Sequence, residues 1–123
     1  SEDFAAVALG VEAHHERVDG SGYPYGLKGV EIPLFGRILA VVDSFEAMTA
    51  DRPYRRGMPP VEAMREIEAG AGALYDVRVV EAYALLFRQG KVEVARPGVT
   101  PVSASKLAAA ALLEPEAAFE MVN

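Results

Sequence analysis

The sequence predicts an all-α fold, a bundle of helices in one domain. Apolar residues recur at spacings of three and four through four separate stretches between residues 4 and 88, and residues that start or stop helices bound those stretches. The pattern changes to an alternation of two only beyond Gly90. With 123 residues, 51% of them hydrophobic, the chain can bury one modest core but not two.

The first helix is expected from Asp3, a candidate N-cap, with Phe4, Val7, Ala8 and Val11 on one face. His14 and His15 continue that stripe, so both imidazoles are expected to point toward the core or a cleft in it. The alternative is a partly exposed pair at a helix C-terminus, favoured there by the helix dipole. Asp19-Gly20-Ser21-Gly22 ends the helix, and Tyr23-Pro24 with Gly26 and Gly29 keeps the chain irregular to about Pro33. Asp19 by itself reads as a turn-former.

Leu34 to about Ala50 reads as a second helix, apolar nearly all round and therefore buried. Asp43 lies inside it. A carboxylate there needs a cation, a metal or strong donors, and the residues leave two readings open: a metal ligand, or a salt bridge to an arginine such as Arg37. The loop from Asp51 to Pro60 carries Arg52, Arg55 and Arg56 beside Tyr54. It is either the cluster an anionic ligand requires or a solvated charge run. Pro60 is placed as the first residue of a third helix that runs through Ala63, Met64 and Ile67 to Gly70 and Gly72. Asp76 is the expected cap of a fourth, Val77 to about Arg88, and Tyr75, Tyr83 and Phe87 read as core. Lys91-Val92-Glu93-Val94 predicts a short β-hairpin near 91–102, weakened by Pro101. C-terminal helices are expected from Ser103 or Ser105 to about Leu113, and from Pro115 through Met121. Residues 1–90 and the extension 91–123 are expected to form one compact unit.

Composition narrows the function classes. A net charge of -6 argues against a general DNA or RNA binder, which needs a basic face to displace counterions from phosphates. With no cysteine, thiolate metal clusters, disulfides and cysteine nucleophiles drop out, and any metal must be held by His, Asp and Glu. There is no run of 18 apolar residues and no leader pattern, so a cytoplasmic protein without a membrane segment is expected.

The densest chemistry lies in His14-His15-Glu16-Arg17-Val18-Asp19-Gly20-Ser21-Gly22-Tyr23-Pro24, which holds both histidines of the chain. Adjacent helical residues diverge by about 100°, which suits one ligand to each of two neighbouring ions. Two ions beside arginines that hold phosphate oxygens are the equipment for phosphoester hydrolysis, and a phosphodiester is the expected substrate class.

That stretch, with Arg37-Ile38-Leu39, Asp43-Ser44-Phe45-Glu46-Ala47-Met48-Thr49, Asp51-Arg52-Pro53-Tyr54-Arg55 and the Gly70-Ala71-Gly72…Tyr75-Asp76 segment, closely resembles the HD-GYP family of cyclic di-GMP phosphodiesterases over about residues 1–90. The resemblance implies a partial helical bundle of the HD-superfamily type and a role in bacterial second-messenger signalling. It implies His14, His15 and Asp43 as ligands of a two-ion centre of iron or manganese type, and a metal-activated water opening cyclic di-GMP to pGpG or GMP. It further implies that Tyr23, Arg52 and Arg55 meet the substrate, and that the loop Gly22-Tyr23-Pro24 contacts a GGDEF-domain partner. Glu46 stands where the family usually has Asp. The family's His-Asp dyad and further histidines lie before the region matching Ser1, so the chain alone is expected to be short of metal ligands and inactive. Its bare apolar faces are expected to make it a homo-oligomer. An HD-GYP phosphodiesterase domain, a non-catalytic binding module for cyclic di-GMP or a GGDEF partner, and another HD-superfamily phosphohydrolase are the three functions in play.

Overall fold

A computed structural model describes residues 2–94. The described residues form four α-helices, α1 Glu2–Ala13, α2 Leu34–Thr49, α3 Pro60–Ala69 and α4 Val77–Arg88, with a 3₁₀ turn at Gly29–Glu31 ahead of α2. The all-α expectation holds among the described residues. Residues 91–94 form no strand. The rest of the expected hairpin and the C-terminal helices fall outside the described residues.

Three helices enclose the core because their apolar stripes converge. Ala40, Val41 and Phe45 of α2 meet Ala63, Met64 and Ile67 of α3 and Val80 and Ala84 of α4, with Tyr75 closing one end. Phe45 anchors the cluster, with the rings of Tyr83 and Phe87 edge-on to it at 5.6 and 6.0 Å between centroids. The sequence signals for α3 and α4 match their ends. Pro60 opens α3 and Gly70 caps it, while the Asp76 carboxylate accepts from the N–H groups of Arg78 (2.8 Å) and Val79 (3.1 Å) at the start of α4.

Two readings of the first half need correction. α1 starts at Glu2, so Asp3 lies inside the helix and is not its cap. Nor is the expected stripe the most buried part of α1: Phe4 is 40% exposed, Ala8 is exposed and Val11 is half-buried, whereas Gly10 and Ala13 are buried. A Cβ at Gly10 would stand 2.4 Å from the Phe35 ring, and one at Gly36 would stand 3.0 Å from the Ala13 Cβ. The two helices thus approach closely where Gly10 receives the Phe35 ring and Gly36 lies against Ala13. α2, for its part, is not buried all round: Leu34 (56%) and Ile38 (39%) are exposed.

Arg37 ties α2 to α4. Its Nη1 donates to the Asp76 carboxylate at 2.8 Å, and its Nε donates to the Ile32 carbonyl at 2.9 Å.

Candidate metal and nucleotide site

α1 ends one residue before the histidine pair, and that single residue changes which side chain enters the protein. The Glu16 N–H donates to the Ala13 carbonyl at 3.0 Å and closes a turn after the helix. Glu16 is thereby carried inward, to 1% exposure. His14 is half-buried and His15 exposed, so the expected continuation of the helical stripe through both rings is not what forms. The His14 Nδ1 lies 2.5 Å from the Val11 carbonyl. A carbonyl only accepts, so Nδ1 is the donor in this contact, and Nε2 is the ring nitrogen it leaves unused. The His14 and His15 rings lie 3.9 Å apart at 41°.

His15 titrates below the ordinary imidazole range. The burial its ring has disfavours the cation most, the neighbouring His14 and Arg17 act in the same direction, and the Asp43 carboxylate works against them. The ring is therefore neutral in neutral solution, the form that binds a metal. It also follows that Asp43 of α2 is within electrostatic reach of His15. The Arg37 guanidinium, the other partner expected for Asp43, bonds the Asp76 carboxylate through Nη1. Asp43 is half-buried, less enclosed than its helical neighbours suggested.

The loop after the histidines folds back on them. A Cβ at Gly22 would lie 2.4 Å from both the Arg17 nitrogen and the His15 carbonyl oxygen, so only glycine permits the approach. Tyr23 donates its N–H to the His15 carbonyl (3.3 Å), and its ring stacks on the His15 ring at 4.8 Å and 19° while remaining 60% exposed. The Tyr23–Pro24 peptide is cis. The Tyr25 hydroxyl donates to the Glu12 carboxylate of α1. Asp19 is the expected turn-former: its Oδ1 accepts from the Ser21 N–H at 2.9 Å, and the Ser21 side chain first, then this N–H, hold its carboxyl below the ordinary range. The backbone N–H groups of Val18 and Asp19 donate to the carbonyls of Leu74 (3.4 Å) and Ala73 (2.9 Å), which pins the loop to the segment before α4. The Arg17 guanidinium lies over the Tyr75 ring, 5.5 Å from its centroid.

The arginine loop leaves the far end of α2. Arg52 and Arg55 exchange backbone hydrogen bonds of 2.8 and 3.2 Å in a tight turn. The loop is seated by the Gly57 N–H on Asp51 (2.8 Å) and by the Met58 N–H on the Met48 carbonyl (2.7 Å). Arg52, Tyr54, Arg55 and Arg56 are exposed. The Arg55 Nη2 donates to the Ala47 carbonyl at 2.9 Å. Ala47 follows Asp43 by one helical turn, about 6 Å along the axis, so the guanidinium returns alongside the helix that carries the carboxylate.

The donor chemistry of this centre suits a divalent ion, with a neutral imidazole at His15 and the His14 Nδ1 engaged by the backbone. Among the described residues, however, no three His, Cys, Asp or Glu side chains converge closely enough to hold one. The residue that reading the sequence missed is Glu16. Its signal was there: a carboxylate beside a glycine-rich loop whose backbone N–H groups have no helix or sheet to satisfy them.

Residues 1–79 match the family model for the HD domain. The chain belongs to the HD domain family. This HD domain is 55% identical over 85 residues to a cyclic di-GMP phosphodiesterase of Thermotoga maritima, covering 69% of the chain and 22% of that relative. It is 40% identical over 90 residues to a probable cyclic di-GMP phosphodiesterase of Vibrio cholerae, covering 73% and 20%. It is also 57% identical over 51 residues to the 3'3'-cGAMP-specific phosphodiesterase 1 of Vibrio cholerae, covering 42% and 12%. The chain spans 22% or less of the length of each of these relatives. The family and the names of the first two agree with the HD-GYP resemblance of the motifs. His14, His15, Tyr23, Asp43, Arg52 and Arg55 all lie within the matched stretch of the HD domain.

Proposed function

We propose that this HD domain is part of a metal-dependent phosphodiesterase acting on cyclic di-GMP. His14, His15 and Asp43 are its contribution to a centre of two divalent ions of iron or manganese type, and residues outside the described stretch supply the remaining ligands. Ions bound there would supply Lewis acidity and an activated water for hydrolysis of the phosphodiester. The residues of this chain do the holding. Arg52 and Arg55 engage phosphate oxygens through their planar guanidinium groups, and the exposed face of Tyr23 meets a base. Gly22-Tyr23-Pro24 forms the surface offered to a GGDEF-domain partner.

One observation carries the reading: Arg55 bonds the carbonyl one turn beyond Asp43, while Asp43 acts on His15 and Tyr23 stacks on His15. Metal-ligand chemistry, an aromatic face and phosphate-binding cations therefore come from elements in mutual contact. Calorimetric titration of the purified chain with cyclic di-GMP, with 3'3'-cGAMP as competitor and with and without Mn²⁺, tests it. Binding of cyclic di-GMP that strengthens with Mn²⁺ is expected, and a chain that binds neither dinucleotide would sink the proposal. Chromatography of the same mixtures separates an enzyme, which yields the linear dinucleotide, from a binding module, which returns the cyclic one.

A further inference from the structure

Glu16 is the one charged side chain buried among the described residues. A carboxylate taken out of water must be answered by donors, since its desolvation otherwise costs several kcal/mol or forces a proton onto it. Here the answer is three consecutive backbone N–H groups. Glu16 Oε1 accepts from Tyr25 at 3.0 Å, Gly26 at 2.7 Å and Leu27 at 3.3 Å, and Oε2 accepts from Leu27 at 3.3 Å. Among the described residues no cation lies within ion-pair distance of it. Those N–H groups belong to the segment that follows Tyr23-Pro24, and Glu16 itself follows His15.

We propose that Glu16 is a positioning residue: by gripping the Tyr25–Leu27 backbone from the residue next to His15, it holds the recognition loop so that Tyr23 lies on the His15 ring. The alternative is a group that stabilises the fold as a whole. The geometry favours the local role, because the bonds of Glu16 run to one loop and the backbone around Gly22 is pressed against His15, Glu16 and Arg17 with no room for adjustment. Without the carboxylate, three N–H groups lose their acceptor, and the Tyr25–Leu27 segment keeps the Tyr25 hydroxyl on Glu12, while the flanks of the loop keep the Tyr23 N–H bond to His15, the Gly29 N–H bond to Val18, the turns at Gly20 and Ser21, and the Val18 and Asp19 bonds at its base. The consequence for nucleotide binding rests on the function proposed above. The holding role does not.

The test is NMR on the full chain, comparing wild type with Glu16→Ala, Glu16→Gln and Tyr23→Ala. In Glu16→Ala the amides of Tyr25, Gly26 and Leu27 should exchange at least about tenfold faster, while core amides such as Val41, Ile67 and Val80 keep their rates. The ring-current shift of the His15 imidazole should fall to the value found in Tyr23→Ala. Glu16→Gln keeps the Oε1 position as an acceptor and should restore most of both signals. If Glu16→Ala does not fold, Glu16→Asp replaces it: the charge stays but falls short of the loop, and the same local loosening is expected. Exchange that rises equally in core and loop, or a His15 shift unchanged in a folded Glu16→Ala or Glu16→Asp chain, would overturn the proposal. In the cyclic di-GMP titration Glu16→Ala should weaken binding in the wild-type background and add nothing in the Tyr23→Ala background. A wild-type chain that binds no dinucleotide refutes the function proposed above, and the NMR comparison still decides the role of Glu16.

Discussion

The Arg55 guanidinium donates to the backbone carbonyls of Ala47 and Arg56 and would meet a phosphate in the proposed complex, where Arg52 would meet the phosphate alone. Replacing either by Ala should weaken cyclic di-GMP by about 1.5 to 3 kcal/mol for each charged hydrogen bond lost. Only Arg55→Ala should also lower the thermal midpoint, because it strips the Ala47 carbonyl near the end of α2 of its donor. Calorimetric titration and thermal scans of the two variants check this together, and equal affinities for wild type and both variants would leave the cluster a solvated loop. At this scale the sequence was read well where a residue acts on its neighbours. Asp19 turning the chain for Ser21 and Asp76 capping α4 are short-range bonds with known spacing. It was read poorly where one residue decides a direction. The histidines looked inward because the helical stripe was carried two residues past Ala13, and Glu16 took the interior place instead.

Among the elements, α4 depends most visibly on a single side chain. Asp76 caps the helix and also receives Arg37 from α2. Burial pushes its carboxyl upward, but the Arg37 bond and the two N–H groups outweigh this and hold it below the ordinary value of 3.8. Because the folded pKa is depressed, this stabilisation is complete above the unfolded value and is lost as pH falls through the folded one. Asp76→Ala should cost roughly 2 kcal/mol at pH 7, about half from the cap and half from the partly buried pair. Asp76→Asn keeps a capping oxygen but cannot titrate, so its deficit against wild type should be present at pH 7 and shrink below pH 3.8. Thermal midpoints across that range decide it, and a deficit that grows in acid would show the sign to be wrong. α1 shows the opposite situation. Its existence was legible, yet Gly10 and Ala13 make the seam, because packing two backbones closely rewards the absence of a side chain and no periodicity of large residues reveals that.

For the molecule as a whole, the exposed apolar residues bear on association. Leu9 of α1 and Leu34 and Ile38 of α2 are exposed. Apolar surface left in this way favours self-association, so we expect the purified chain to sediment as an oligomer and a Leu34→Glu, Ile38→Glu variant to shift toward monomer. Wild-type chain sedimenting as a monomer at all concentrations would end that expectation. No helix among the described residues is long and apolar enough to cross a membrane.

What the sequence by itself determined is the set of four helices, the proline and aspartate that open α3 and α4, the core aromatics, and the motifs that mark an HD domain. These rest on periodicity, capping and turn chemistry, which act over a few residues and can be counted along the chain. Only the tertiary structure decided that Glu16 enters the interior beside the histidines and the loop, that Arg37 reaches Asp76, and that Arg55 returns to α2 beside the Asp43 face. Each of these is a choice among several chemically suitable partners. That choice is settled by which groups the fold brings within about 3 Å of each other, the reach of a hydrogen bond.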